Sequence, residues 1–351
     1  MKRISFASYL LNFKEPAGTS RGVLYSKPTF FVRIEDDSEK RRVGYGEIPI
    51  FPGLSKESAE DVVDIVSSLQ KSPESIPDHI GKVSSVTFGL ETALQDLQNG
   101  GVGILFPSSF TEGCTVIDIN GLIWMGDYGE MMKRLEEKLK EGFRCIKIKI
   151  GAIQWERELD LLRHIREKCG NETTIRVDAN GAFTPRNCMM FLEQLASLNV
   201  HSIEQPIKAG NYEAMAEICR NTPVPVALDE ELIGLAIGDR RREMLETIRP
   251  QYIILKPALC YGFSGMEDWI SLADSMGIGW WVTSALESSI GLNAIAQFVG
   301  KYNLTLPQGL GTGQLYTNNL VSSVSLQGDK MHFAGFPLSI YRQQMENLDW
   351  K

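Results

Sequence analysis

The sequence predicts an α/β protein whose larger part is a parallel (β/α) barrel, and three observations carry that expectation. From residue 116 onward, short apolar runs alternate with longer helical stretches. Such alternation implies parallel strands joined by right-handed crossovers. Seven of these units occur, followed by a closing segment near residue 308, a count that suits a closed barrel. Five successive strand candidates also carry a charged residue at their ends, as the active face of such barrels does. An open doubly wound sheet is the alternative, but no Gly-x-Gly-x-x-Gly lies between a strand and a helix to favour a nucleotide-binding version of it.

The chain before the barrel reads as a small α+β unit ending near residue 115. Phe30–Ile34 and Val43–Glu47 are strand candidates. Between the first strands, Glu15–Gly22 is rich in Gly and Pro, as a hairpin connection or a lid over a site would be. Helices are expected over 56–70 and 83–99, the second with Val83, Val86, Leu90, Leu94 and Leu97 on one face and Gly100-Gly101 as its stop. In the barrel, strands are expected at 116–120, 145–150, 174–178, 201–204, 225–229, 252–256 and 279–283. Helices are expected at 127–141, 155–168, 186–198, 211–220, 239–248, 262–276 and 290–300.

Composition narrows the function classes. The 351 residues are 43% hydrophobic and 23% charged, with a net charge of −8. That balance argues against nucleic acid or an anionic membrane as partner. No run approaches the roughly 20 apolar residues of a membrane span, and Met1–Phe6 does not open a signal peptide. The six cysteines form no Cys-x-x-Cys pair, so free thiols in a reducing cytoplasm are expected. The four histidines are scattered and give no metal motif. The expected partner is a small molecule, and oligomeric state is left open, a homo-oligomer included.

The chemistry concentrates at the strand ends. In Cys145–Ile150, Lys147 and Lys149 share one face of a strand. On an edge strand that face is merely solvated. Inside a barrel, burial and like charge both disfavour protonation, and a lysine becomes a base near neutral pH. Asp178, Glu204, Asp229 and Lys256 then end the next four strands at intervals of roughly 25 to 29 residues, about one strand–helix unit each. A single acid at a strand end is ordinarily a helix cap or a turn residue. Five charges in register are not explained that way. Three converging carboxylates require a cation, and Mg²⁺ suits an all-oxygen site with open positions. Base, metal ligands and a second cation across the site suit removal of a proton next to a carboxylate.

These residues resemble the enolase superfamily, in its Lys-x-Lys (muconate-lactonizing) subgroup. The resemblance rests on Lys147-x-Lys149, Val177-Asp178-Ala179-Asn180, Ile203-Glu204-Gln205-Pro206, Leu228-Asp229-Glu230 and Lys256-Pro257, together with the Gly46-Glu47 strand. It implies a (β/α)7β modified TIM barrel over 116–324. It also implies an α+β capping domain over 1–115, completed by 325–351. Further implications are Mg²⁺ held by Asp178, Glu204 and Asp229, Lys149 as the acid/base with Lys147 lowering its pKa, and Lys256 on the opposite face. Within the subgroup, Ile119–Trp124, Ser284–Leu292, Arg176 and Gly309-Leu310-Gly311-Thr312 resemble o-succinylbenzoate synthases. Those enzymes dehydrate 2-succinyl-6-hydroxy-2,4-cyclohexadiene-1-carboxylate on the route to menaquinone. The same resemblance offers Arg176, Ser284, Ser288, Gly311 and Thr312 as substrate contacts, and residues 16–22 as a lid.

Dipeptide epimerases of the subgroup carry an Asp-x-Asp where this chain reads Gly311-Thr312-Gly313. A mandelate-racemase pattern would need a His on the seventh strand, where none stands. Gln205 departs from the second Glu common in the wider superfamily. N-acylamino acid racemases and dipeptide epimerases remain the near alternatives, and a barrel that binds without catalysis the distant one.

Overall fold

The computed structural model describes residues 2–19, 22–36 and 42–351. Three strands, β1 (Lys2–Thr19), β2 (Gly22–Asp36) and β3 (Arg42–Pro49), form an antiparallel sheet in sequence order. Behind them run α1 (Ala59–Lys71), the single turn α2 (Ile76–His79) and α3 (Ser84–Gln98). Ser58 and Asp61 form a capping box that starts α1. The sheet packs on these helices through Ile4, Val32, Ile34 and Ile48 against Val62, Val66, Leu90 and Ala93.

Close contact between β3 and α3 depends on two glycines. A Cβ on Gly44 would stand 2.0 Å from the Ala93 carbonyl oxygen, and one on Gly46 2.1 Å from that of Gly89. Side chains alternate along a strand, so Tyr45 and Glu47 point the other way. Tyr45 packs there with Phe31, Ile290, Tyr341 and Met345.

Next come β4 (Ile117–Asp118), β5 (Gly121–Ile123), α4 (Tyr128–Lys140), β6 (Cys145–Lys149), α5 (Trp155–Cys169), β7 (Thr174–Asp178), α6 (Cys188–Ser197) and β8 (Ser202–Glu204). They are followed by α7 (Tyr212–Asn221), β9 (Val226–Leu228), α8 (Asp239–Ile248), β10 (Tyr252–Leu255), α9 (Gly262–Met276), β11 (Gly279–Val282) and α10 (Ser289–Val299). Strands β5 to β11 form one parallel sheet in sequence order. The segment at 308–309 closes it. Gln308 pairs with Ile119 and Gly309 with Thr283, both in parallel. The Asn120 amide donates to the Gln308 carbonyl at 2.9 Å, and the Gly309 amide to that of Val282 at 2.8 Å. The expected barrel with its closing segment near 308 is therefore present, and the open sheet is excluded.

Alternation sorts the strand residues into two layers. Ile146, Ile148, Val177, Ile203, Leu228 and Leu255 face the helices. Ala227, Ile254 and Trp281 fill the barrel's inside, below the charged strand ends.

The first barrel strand and the place of the C-terminal hairpin differ from expectation. The first barrel strand is Gly121–Ile123, not 116–120, because Ile117–Asp118 pairs antiparallel with a C-terminal hairpin, β12 (Val324–Gln327) and β13 (Lys330–Phe333). That hairpin thus sits at the base of the barrel. The final helix, α11 (Leu338–Glu346), packs on the N-terminal sheet. Of the two readings of Glu15–Gly22 the hairpin connection is observed: residues 15–19 and 22 form the tip of the β1–β2 hairpin, with Ala17 opposite Leu24 and Thr19 opposite Gly22. Ser20 and Arg21 lie outside the described residues. No helix among the described residues is long and apolar enough to cross a membrane.

Gly46→Ala is expected to lower stability by about 3 kcal/mol, because the Cβ collides with backbone that cannot rotate away. Urea denaturation checks this, and an unchanged midpoint would show that β3 and α3 have room to separate.

Candidate active site

A cavity of about 340 Å³ opens at the C-terminal ends of the barrel strands. Lys147, Lys149, Asp178, Glu204, Asp229 and Lys256 all line it, with Ser284, Gly311 and Thr312. The strands bring the charges together by register. Lys149 stands opposite Asp178, and Asp178 opposite Glu204.

The charges neutralise one another pairwise. Lys147 Nζ lies 2.6 Å from Glu204 Oε2 and 3.0 Å from Asp178 Oδ2. Lys149 Nζ donates to Asp178 Oδ2 at 2.9 Å and to Asn180 Oδ1 at 2.7 Å. Lys256 pairs with Asp229. All six are nearly or fully enclosed. Burial works against each charge, and the partners decide the outcome. Burial opposes Lys147 and Lys256, yet the adjoining carboxylates outweigh it and hold both ammonium groups above the ordinary lysine value. Burial would likewise raise Asp178, but Lys147 and Lys149 hold it well below the usual carboxylate range. Glu204 is pushed up to about 8 by burial and by the Asp178 charge. The expectation that burial makes Lys147 less basic is therefore corrected, because two carboxylates within 3.0 Å override the loss of solvent.

Two of the anticipated substrate contacts lie elsewhere. Arg176 points down the barrel from the residue two before Asp178. Its guanidinium stacks 3.9 Å from the centre of the Trp281 ring and donates to the Pro307 carbonyl at 2.8 Å. A strand residue two positions earlier falls one layer lower, which takes it out of the cavity. Ser288 is the N-cap of α10, and its hydroxyl donates to the buried Glu47.

Other lining residues carried no role in the sequence reading. Asn180, at φ 43°, accepts from Lys149 and donates to Glu230 Oε1 at 3.1 Å. The turn motif Asp178-Ala179-Asn180-Gly181 was the available signal. Glu230 adds a fourth carboxylate, and burial raises its pKa. Thr283 Oγ1 and Asn120 Oδ1, like Oγ1 of the anticipated contact Thr312, are buried and have no hydrogen-bond partner among the described residues. Trp124, Phe51, Leu54, Leu286 and Leu315 form the apolar wall, and Glu15 reaches in from the β1–β2 hairpin. Gln205 holds the turn together: its Oε1 accepts from the Asp229 amide at 3.2 Å.

At the strand ends Asp178, Glu204, Asp229 and Glu230 face the ammonium groups of Lys147, Lys149 and Lys256, so the site has room for added positive charge. Glu204 Oε1 is buried without a hydrogen-bond partner among the described residues. The oxygen-only donor set and that unpartnered oxygen fit a hard divalent cation. Among the described residues no three acidic, His or Cys side chains converge closely enough to define such a site by themselves, because the Lys147 ammonium stands between Asp178 and Glu204.

Glu204 binds its proton more tightly in the fold, at about 8, than at its ordinary 4.5. Its contribution to stability therefore declines as pH rises through that window. Asp178 acts oppositely, stabilising above its ordinary 3.8 and losing that as pH falls. In EDTA, Glu204→Gln is expected to flatten the decline between about pH 5 and 8, read from urea midpoints; an unaltered slope would show that Glu204 is ionised throughout.

Comparison with known proteins agrees with this geometry. Residues 130–322 match the model of the enolase C-terminal domain-like family. The o-succinylbenzoate synthase of Desulfotalea psychrophila is 45% identical, over 93% of this chain and 97% of its own length. The crystal structure of MenC from that organism superposes with a TM-score of 0.83 and 40% identity, covering 94% of this chain and 99% of the other. A dipeptide epimerase from Enterococcus faecalis V583, in complex with Mg and L-Leu-L-Tyr, shares the fold at a TM-score of 0.82 and 20% identity, covering 95% and 98%. With its barrel, its cap and the charged strand ends in register, the chain belongs to the enolase superfamily, in the Lys-x-Lys subgroup that contains the o-succinylbenzoate synthases.

Proposed function

We propose that the chain is an o-succinylbenzoate synthase, a lyase that removes water from 2-succinyl-6-hydroxy-2,4-cyclohexadiene-1-carboxylate to give 2-succinylbenzoate. The observation that carries this reading is the pair Lys149 and Lys256 on opposite strands of one cavity with three carboxylates between them. The relative from Desulfotalea psychrophila, matched over nearly its whole length, supports the substrate.

The division of labour follows the domains. The barrel over 116–324 carries the chemistry. The cap over 1–115, joined by the final helix α11, covers the site and supplies Glu15, Phe51 and Leu54, while the hairpin of β12 and β13 closes the base of the barrel. Asp178, Glu204 and Asp229 are assigned to Mg²⁺, as the Mg complex of the Enterococcus faecalis V583 relative supports. When bound, the ion would stabilise the negative charge that develops on the substrate carboxylate.

Lys149, positioned by Asn180, takes the proton from the carbon bearing the carboxylate. The C–H electron pair moves into the ring as the bond to the 6-hydroxyl breaks. The same lysine returns its proton to that hydroxyl, which leaves as water, and the ring becomes aromatic. Lys147, on the same strand face as Lys149, is held between Asp178 and Glu204 and fixes the carboxylates beside the base. Lys256, across the cavity, places a cation near the opposite ring face. Ser284, Gly311 and Thr312 line the cavity, and the apolar wall excludes water.

One observation favours a second reading. Two lysines on opposite strands are also what racemisation of an N-acylamino acid requires, and exchange of the α-proton with solvent deuterium from both enantiomers would reveal it.

Lys149→Ala is expected to lower turnover by roughly 10⁴-fold or more with the fold intact by circular dichroism. Loss of the diene absorbance follows the reaction, and conversion undiminished in that variant removes Lys149 as the base. Asp178→Asn is expected to weaken Mg²⁺ binding by roughly 100-fold in calorimetry. An unchanged isotherm takes Asp178 out of the ligand set. A folded, Mg²⁺-loaded protein that leaves the diene untouched transfers the assignment to racemisation.

A further inference from the structure

Behind the cavity wall lies a buried charged cluster that the reaction does not use. Lys27, on β2 opposite Leu11, is completely enclosed. Its ammonium group has no hydrogen-bond acceptor among the described residues. Burial pushes its pKa down, while the charges of Glu47 and Glu287 oppose that shift. An enclosed ammonium without a direct partner is costly, and a fold keeps one only against a compensating demand.

Glu47 and Glu287 supply that demand. Both are fully buried, and each holds one end of the segment that follows β11. Glu47, reaching across from β3, accepts from the Ser288 amide at 2.9 Å, the Gly291 amide at 2.9 Å, the Ser288 hydroxyl and Thr29 Oγ1. Gly291 makes this approach possible, because a Cβ there would stand 2.8 Å from Glu47 Oε2. Glu287 accepts from the Ser284 hydroxyl and from the Ala285 amide at 3.0 Å. Between these anchors Leu286 adopts φ 63°, a strained conformation for a branched side chain, and Tyr316 holds its carbonyl at 2.7 Å. Ser284 and Leu286 both face the cavity. The Ser284 hydroxyl gives its proton to Glu287 and accepts from the Leu286 amide at 2.9 Å, so toward a substrate it offers only an acceptor.

Two carboxylates buried side by side repel each other and oppose this arrangement. An ammonium facing both removes the conflict. We propose that Lys27 is a positioning residue: enclosed with Glu47 and Glu287, it holds segment Ser284–Ser288 in the shape that lines the cavity, and so ties the N-terminal sheet to substrate binding. The kinetic consequence rests on the synthase reading, whereas the structural consequence does not.

The variant Lys27→Met keeps the stem and removes the charge. Amide hydrogen exchange followed by mass spectrometry is expected to speed up roughly ten-fold over 285–291 and to stay unchanged elsewhere in the barrel. KM for the cyclohexadiene carboxylate is expected to rise about ten-fold, with kcat within about three-fold of wild type. Glu287→Gln added to Lys27→Met removes the unbalanced carboxylate and is expected to bring both readings back toward wild type. Unchanged exchange over 285–291 in Lys27→Met overturns the proposal. So does a double variant no better ordered than the single one, including the case where neither folds. If the wild-type protein does not convert the substrate, the synthase reading falls, and the exchange result still decides the role of Lys27.

Discussion

Everything at the mouth of this barrel depends on packing charged groups of opposite sign into one enclosed layer. Asp178 is the centre of it. A single carboxylate oxygen receives both Lys147 and Lys149, and the neighbouring Glu204 shares Lys147. None of these charges is stable there by itself, because burial disfavours every one of them. Together they form a set in which removing one member leaves another exposed to the full penalty. The result is a site poised to exchange partners. A divalent cation and a substrate carboxylate bring in charges of the same kinds that the layer already balances.

The barrel below that layer is built to tolerate it. Ala227, Ile254 and Trp281 plug the interior, and the Arg176 guanidinium sits over the Trp281 ring. Outward-facing Ile and Val residues on the same strands lock the wall to the helices. The strand ends are thus rigid, and their side chains hold position because the backbone beneath them has nowhere to go.

The cap reaches the site through alternation on one strand. Gly44 and Gly46 lie against α3, and the residues between and after them, Tyr45 and Glu47, turn toward the barrel. Glu47 then captures the start of α10, where unpaired amides favour an acceptor. The short motif Gly-Tyr-Gly-Glu therefore serves both faces of the sheet. Its glycines set how close the helix lies, and its glutamate sets where the loop after β11 runs.

The sequence by itself determined the repeating units and the identity of the charged strand ends. Seven strand–helix units are local patterns, and helices such as Asp239–Ile248 and Gly262–Met276 match their expected ranges because amphipathic period and glycine stops are written along the chain. The triad Asp178, Glu204 and Asp229 was legible for the same reason, one charge per unit at a constant place. Tertiary structure decided what local pattern does not encode. An apolar run at 116–120 has no mark to say that Ile117–Asp118 pairs with a hairpin more than 200 residues later. Arg176 shares a face with Asp178, but barrel layering places it below the cavity against Trp281. Ser288 resembles a substrate contact in sequence, and Glu47 claims it in space. Lys27 is one lysine among many until folding encloses it with two carboxylates. Register along a strand is a short-range property, whereas depth in a barrel and the partner of a buried charge depend on segments brought together only when the chain closes.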